Sequence, residues 1–595
     1  MPTRFRGLEL AVLLAVALGG VLPALLQPNA MVGDGVDAFG TWWFFDWIRL
    51  CIEQGGDPSH TRFFFWPQGK DNFAHTGNNF VDAVLSVPFQ WLLGSHYQPW
   101  WIVVVLLGNA FTFRPLAREV LGDDARAFAA SLLWMVNPYV LFEITAGRPT
   151  QAFLWFVPAV PLFMFEVIRT GRWLAAAKLG VAAALVGWSY WFQAFFVAVL
   201  CLPLLLAELR RAPDQRRALG RLFGALLVAV LIVAPAAIPM ARVWSSGGTP
   251  GGTPFEQSIF AMPGAVGNSI GDELYGISLM EGYGARMLTL LSWGLPMLVA
   301  LAMRRLPAVW WIGGALCTVL AFGPGIRFGD TLVVNVPYMV LYRYVPFLNR
   351  LWFPYRMVSC ILVVAVLGIA ASLPARRLRV WAIGLAALGL LEQSVARSYP
   401  FTWHDVRAPR LLVEAGKVGG ALLFLPFRIQ HDGLVWQTSF RLPTFGGMGE
   451  PAPVLWPPTF KRKLSTPVAQ GLRMASAGTG PMLPLPPAAL KPLLSHGFRW
   501  VALRRDIVLE ESARMATLPS PDQALLRVTE LLGPPTGVDG AVVLWDLKGA
   551  WTAPPEFAAT EAALSAKDWQ ATQQPAWSRA LAEQGREGRP APPGK

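Results

Sequence analysis

The chain has 595 residues, 54% of them hydrophobic and 15% charged, with a formal net charge of +13. A soluble chain of that length carries about a quarter charged residues, so this composition excludes an ordinary soluble globular protein. The excess of Lys and Arg is gathered in short clusters at the ends of apolar runs, where the positive-inside rule places it, so no nucleic-acid partner is expected.

The apolar runs have the length that crosses a bilayer. They predict about eleven transmembrane helices, at roughly 8–27, 100–119, 126–144, 151–168, 173–190, 191–208, 220–241, 286–303, 307–324, 356–374 and 379–395. The first run follows Arg4 and Arg6, and no small-residue cleavage site follows it cleanly, so it is expected to stay as a helix. The basic clusters are Arg4 and Arg6; Arg114, Arg118 and Arg126; Arg169 and Arg172; Arg210 to Arg221; Arg304 and Arg305; and Arg376, Arg377 and Arg379. All fall on one side if the N-terminus is cytoplasmic and the spans alternate. Residues 79–94 are short and carry Asp82, so they are expected to lie in the interface as an amphipathic helix, as is 336–353. The large loops 28–99, 242–285 and 325–355 then lie outside. The cysteines at 51, 201, 317 and 360 have neither disulfide nor metal spacing.

Residues 1–395 therefore form the membrane domain, and 396–555 form an extracytoplasmic α/β domain. Its expected strands are 420–426, 499–504 and 540–546, and its expected helices are 485–496 and 521–532. Residues 556–595, rich in Ala, Pro, Gln and Glu, are expected to be a poorly ordered tail. No internal repeat is visible, which disfavours a transporter.

The first outer loop opens with GDGVDAFGTWWFFDW at 33–47. Asp34 and Asp37 lie beyond the first helix, ahead of an aromatic stretch expected to lie on the membrane surface. Carboxylates at a water–lipid boundary cost free energy unless they bind something or do chemistry; a solvated turn with a helix N-cap is the plain alternative. His75 is either a proton shuttle, a diphosphate contact or a structural hydrogen-bonding residue. Arg148 either pairs with Glu143 or meets a lipid phosphate. Arg343 and Arg356 either hold phosphate through the planar guanidinium fork or snorkel to headgroups. Asp272 and Glu273 form an acidic pair in a Gly-rich loop, either solvated or contributing to the site.

A first helix, a long outer loop opening on carboxylates, then surface helices and many spans resembles the GT-C glycosyltransferase superfamily. The resemblance is carried by GDGVDAFGTWWFFDW at 33–47, FFFWPQGKDNFAHTGNN at 63–79 and WMVNPYVLFEITAGRPTQAFLWFVP at 134–158. It continues in GRWLAAAKLGVAAALVGWSYWFQAFF at 171–196, YRYVPFLNRLWFPYRM at 342–357, ALLFLPF at 421–427 and LLSHGFRWVALRRD at 493–506. It covers most of the chain through layout and loose motifs. It implies a polytopic α-helical GT-C-like membrane protein that transfers a glycosyl group from a polyprenyl-phosphate-linked donor to an envelope glycan, lipid or protein acceptor on the outer face of a bacterial inner membrane. It places Asp37 or Asp34 as the essential acid. It places a divalent metal, Mg or Mn, on candidates Asp34, Asp37, Asp272 and Glu273 where one is used. The Asp-x-x-Asp spacing departs from the superfamily's Asp-x-Asp or Asp-Asp and leaves base and metal ligand both open. The alternatives are a non-catalytic membrane factor, or a flippase or transporter for a lipid carrier in envelope glycan assembly.

Overall fold

The computed structural model describes residues 7–33, 37–72, 80–245, 268–269, 305–323, 325–328, 331–345, 351, 354–395, 399–427, 431–445, 462, 465–478, 487–515 and 517–565. The expected span at 286–303, the region around 242–285 apart from its edges and residues 268–269, and the tail beyond 565 lie outside them.

The membrane half is helical: α1 (Gly7–Leu25), α2 (Asp37–Gln54), α3 (Phe80–Leu93), α4 (Tyr97–Leu121), α5 (Asp124–Met135), α6 (Pro138–Thr145), α7 (Pro149–Ala152), α8 (Ala159–Thr170), α9 (Trp173–Ser189), α10 (Trp191–Arg211) and α11 (Gln215–Ser245). After a gap come α12 (Ala308–Ala321), α13 (Val336–Tyr344), α14 (Val358–Ser372) and α15 (Leu378–Val395). Among the described residues, six helical segments are long and apolar enough to cross a membrane. The short strands β1 (Ala30–Val32), β2 (His60–Thr61), β3 (Lys70–Asp71), β4 (Asn268–Ser269), β5 (Gly325–Phe328), β6 (Thr331–Val334) and β7 (Trp403–Asp405) lie in the connections.

Two expected spans are broken. The run 126–144 divides at Asn137–Pro138: Asn137 caps α6 through its side chain (Val140 N–H to Oδ1, 3.0 Å), and Pro138 starts the helix where its missing N–H costs nothing. The run 151–168 is broken between Ala152, where α7 ends, and Ala159, where α8 begins. The stretch between α7 and α8 is stabilised by Asn109 of α4, which donates to the Ala152 carbonyl (2.8 Å) and accepts from the Leu154 N–H (3.0 Å). A helix broken in an apolar bundle must have its freed backbone groups satisfied this way. Broken helices are therefore present, although they are not evident in the sequence.

The aromatic stretch of α2 does not lie bare on a membrane surface. Trp42, Trp43, Phe44 and Phe45 are buried, against Tyr97, Phe64 and Phe80 among others. Helix α3 is amphipathic in the inverted sense that lipid requires. Asp82, Ser86 and Gln90, four residues apart, face the protein, while Val84, Leu85, Trp91 and Leu92 are exposed.

Members of three basic clusters are ion-paired. Buried Glu9 accepts from Arg114 (3.1 Å) and Arg379 (2.8 Å), and Arg169 pairs with Glu119 and Glu208. At the opposite end of α1, β1 pairs antiparallel with β7, with Met31 opposite His404. That pairing brings the loop after the first helix beside the chain as it enters the C-terminal domain.

The C-terminal domain is α/β. Its five-stranded sheet has the order β11 (Gly537–Asp539), β12 (Val542–Asp546), β10 (Phe498–Arg504), β8 (Ala421–Leu425), β9 (Thr444–Phe445). Strand β8 runs parallel to β10 (Leu423 opposite Val501) and to β9, and β12 is antiparallel to β10. Helices α16 (Arg410–Val418), α17 (His431–Phe440), α18 (Pro467–Ala477), α19 (Lys491–Ser495), α20 (Arg505–Arg514) and α21 (Pro521–Leu532) accompany it. The first sheet-forming run, ALLFL, is buried at every position, as a strand covered on both faces must be.

His404 is buried in β7, and its Nε2 has no hydrogen-bond partner among the described residues. Burial pushes its imidazole down to about 4. The unfolded imidazole takes a proton below about pH 6.5 that the folded one refuses until about pH 4. This contribution is thus complete above about 6.5, falls with pH down to about 4, and loses no more below. The loss is at most about 3 kcal/mol. A His404→Leu variant should lose that slope in thermal-unfolding midpoints taken between pH 7 and 4. An unaltered slope would show that His404 does not titrate with folding.

Candidate active site

Where α1 leaves the bundle, the chain passes through Gly33, whose φ of +109° suits only glycine. A Cβ on Gly33 would lie 2.8 Å from the Gly147 Cα. Gly147, with φ +75°, in turn abuts Ala38, where a Cβ would come within 2.4 Å of the Ala38 Cβ. Thr41 donates to the Gly147 carbonyl (3.3 Å). Two glycines thus allow the start of α2 to press on the turn between α6 and α7.

That contact places Asp37, the first residue of α2, beside Arg148, which donates from Nη1 to Asp37 Oδ2 at 3.1 Å. Arg148 is buried and also donates through Nε to Glu143 Oε2. Glu143 is fully buried, and its other oxygen lies 3.4 Å from Nε of Arg356. Arg356, buried in the 3₁₀ turn Pro354–Met357 ahead of α14, donates to the Tyr190 hydroxyl at 3.0 Å. Its backbone carbonyl accepts from Ser359, and Gln193 of α10 donates to Ser359 (3.0 Å). The result is a line of alternating charge, Asp37, Arg148, Glu143, Arg356, with two carboxylates and two guanidinia. It opens to solvent at Asp37, whose side chain is 52% exposed.

A small, partly open pocket with room for about one water adjoins this line, lined by Thr150, Gln151, Tyr190 and Gln193 on the polar side and by Phe153 and Phe156 on the apolar side. Thr150 donates to the buried Asp82 carboxylate at 2.5 Å. The broken helix and α9–α10 together form its walls.

The structure brings three sequence candidates, Asp37, Arg148 and Arg356, into one network. Arg148 meets Glu143 and Asp37 together, and Arg356 is buried rather than snorkelling. Arg343 does not join them: it is exposed on α13 with its guanidinium 5.9 Å from the Tyr344 ring. Asp34, His75, Asp272 and Glu273 lie outside the described residues. The sharing of Glu143 between two arginines and the contributions of Tyr190 and Gln193 are not read from the sequence. Their only sequence signal is polarity inside apolar helical runs.

The described residues do not fit a divalent ion. No group of three or more His, Cys, Asp or Glu side chains among them is placed to hold one. Asp37 already faces a guanidinium, and Glu143 is shared between two, so both carboxylates are matched to cations of the chain itself.

Because Glu143 is buried between two guanidinia and Asp37 sits at the solvent edge, their neutral amides should behave differently. Glu143→Gln should cost about 3–5 kcal/mol, the cost of removing one partner from a buried ion pair. Asp37→Asn should cost at most about 1 kcal/mol. Thermal unfolding of both purified variants in detergent checks this; equal midpoints would contradict it.

No family model and no curated protein matches the sequence. Solved structures do match along most of the chain. The arabinofuranosyltransferase AftD from mycobacteria is 18% identical with a TM-score of 0.55, over 92% of this chain and 40% of its own. ArnT from Cupriavidus metallidurans bound to undecaprenyl phosphate is 13% identical with a TM-score of 0.50, over 92% of this chain and 99% of its own. This chain thus spans well under half the length of AftD and nearly all of ArnT. At such identities the likeness is one of fold alone.

Proposed function

We propose that this chain transfers a glycosyl group from a polyprenyl-phosphate-linked donor to an acceptor hydroxyl. The observation that carries this reading is the half-exposed Asp37 carboxylate paired with the buried Arg148, at the mouth of a charge line beside a small pocket. The GT-C resemblance, and a structure of similar fold that holds undecaprenyl phosphate, support the carrier class.

Asp37 is the general base, within the first turn of a helix and open to an incoming hydroxyl. The acceptor oxygen attacks the anomeric carbon, its proton goes to Asp37, and the bond from that carbon to the carrier phosphate oxygen breaks. One negative charge is thereby lost at Asp37 and gained at the leaving phosphate. Arg148 lies beside the first and within the line of cations that can meet the second, so it stabilises the charge before and after its move. Arg356, held by Glu143 and Tyr190, supplies the fixed positive end deeper in the protein. Arg343, exposed on α13, is suited to meeting the carrier's phosphate as it approaches. Asp34, His75, Asp272 and Glu273 stay as candidates for the same mouth, and any metal would need them, because the described carboxylates alone do not make a metal site.

The N-terminus is placed in the cytoplasm. In this reading the face bearing Asp37 and the C-terminal domain lie outside a bacterial inner membrane, which the positive-inside bias of the sequence supports. Reporter fusions at Arg216 and at about Gly446 should report opposite compartments; one compartment for both would end this topology.

Asp37→Asn should remove transfer from the carrier-linked donor while membrane abundance stays normal. A wild-type rate from the purified variant would exclude Asp37 as the base. In the same assay Arg356→Lys should fail to support normal turnover, because Lys lacks the fork that reaches Glu143 and Tyr190 together. Arg343→Lys should be affected less. Unchanged kinetics in the Lys and Ala variants of both would leave no phosphate role for either.

A further inference from the structure

Helix α2 carries Asp37 at one end and is held on two sides. Its near face, Asp37, Ala38 and Thr41, lies on the Gly147–Arg148 turn. Nine residues at about 100° each put Asp46 on the opposite side from Asp37, with Trp43 about 60° from it. That far face is gripped by the C-terminal domain. Arg441 donates from both terminal nitrogens to the Asp46 carboxylate, through Nη1 to Oδ2 and through Nη2 to Oδ1 at 2.9 Å. Arg441 adopts φ +58°, and its N–H is fixed on the Gln437 carbonyl at 2.9 Å. The Trp43 indole donates to Gln437 Oε1 at 2.8 Å, and that bond is buried. The same Gln437 amide donates to the Phe63 carbonyl (2.6 Å) and the Leu442 carbonyl (2.8 Å). Thr444 of β9 exchanges backbone bonds with Phe63 (2.7 Å) and Trp66 (3.1 Å). Loop and domain therefore share one hydrogen-bonded seam.

We propose that the C-terminal domain is the brace that positions the site: Arg441 and Gln437 hold the far face of α2 so that Asp37 stays against Arg148. Both are positioning residues, since neither touches the reacting atoms. The grip is needed because the near face supplies little hold of its own. At the site itself it has two glycines, one alanine, a 3.3 Å hydrogen bond from Thr41 and an ion pair exposed on its Asp37 side, which orders that carboxylate weakly, while Trp42 and Phe44 pack the flank of the helix on Tyr97 and Phe80. The far face supplies a bidentate charged pair and a buried indole bond, which are the stronger and more directional contacts. The consequence for turnover rests on reading Asp37 as the base; the mechanical claim does not.

The experiment is hydrogen exchange on the full chain in detergent, with no substrate present. In Arg441→Ala and in Asp46→Asn, amides in the first turns of α2 should exchange at least about tenfold faster, the change expected when a charge-assisted pair is removed. Membrane helices α4 and α5 should exchange as in the wild type. Arg441→Lys should restore part of the protection, because it keeps the charge and one donor. Faster exchange confined to residues 431–445, with α2 unchanged, would overturn the proposal. So would a uniform rise across the whole chain in both variants, which would mean lost stability rather than a lost brace. Wild-type turnover by Asp37→Asn would remove the base assignment and leave the brace intact; unchanged exchange would do the reverse.

Discussion

A carboxylate with no solvent exposure cannot be carried ionised in an apolar bundle without compensation, and Glu143 is such a group. Two guanidinia, from Arg148 and Arg356, compensate it. Those two arginines come from segments more than 200 residues apart, one in the turn after α6 and the other ahead of α14. Their shared carboxylate therefore fixes the turn, the 3₁₀ segment and, through Tyr190, the start of α10 in one arrangement. Asp37 then balances the charge that Glu143 leaves uncompensated. Without that buried anion, neither the pocket wall nor the place of Asp37 would be defined.

Much of this architecture is legible in the sequence, because bilayer length and periodicity are local properties. The runs at 8–27, 100–119 and 173–190 coincide closely with α1, α4 and α9, and ALLFL and FRWVALR with central strands of the C-terminal sheet. The breaks are less legible. Asn137–Pro138 is a cap followed by a helix start, and it can be recognised once sought. The gap before Ala159 depends on Asn109, 43 residues away from the carbonyl it satisfies, and no local pattern encodes that partnership. The aromatic run of α2 misleads for the same reason. Trp and Phe suit a membrane interface, and they suit equally the space between a helix bundle and a domain that returns almost 400 residues later.

The site shows the same division. Asp37, Arg148 and Arg356 stand out as charges beside apolar runs, where charge is costly. Their convergence is a tertiary fact: the separation of Asp37 from Arg148 is 111 residues. Arg343 and Arg356 look equivalent in one aromatic segment, yet one is exposed and the other buried. What separates them is whether a carboxylate lies within reach. Glu143 supplies that for Arg356, and Arg343 has no ion pair among the described residues.

The bundle has a second carboxylate shared by two guanidinia. Glu9, 1% exposed, lies between Arg114 and Arg379 at the other end of α1. The two motifs have the same electrostatic form, so that form alone identifies no active site: it is how this fold closes a buried anion at either end. At the Glu143 end the line of charge continues outward to a half-exposed carboxylate, runs beside a small pocket with hydroxyl and amide walls, and starts from a helix whose other side is hydrogen-bonded to the C-terminal domain. At the Glu9 end it stops at the basic clusters. The proposed chemistry therefore belongs to the end where charge reaches solvent through a group able to take a proton, and the proposal leaves the matching pair at Glu9 a structural role.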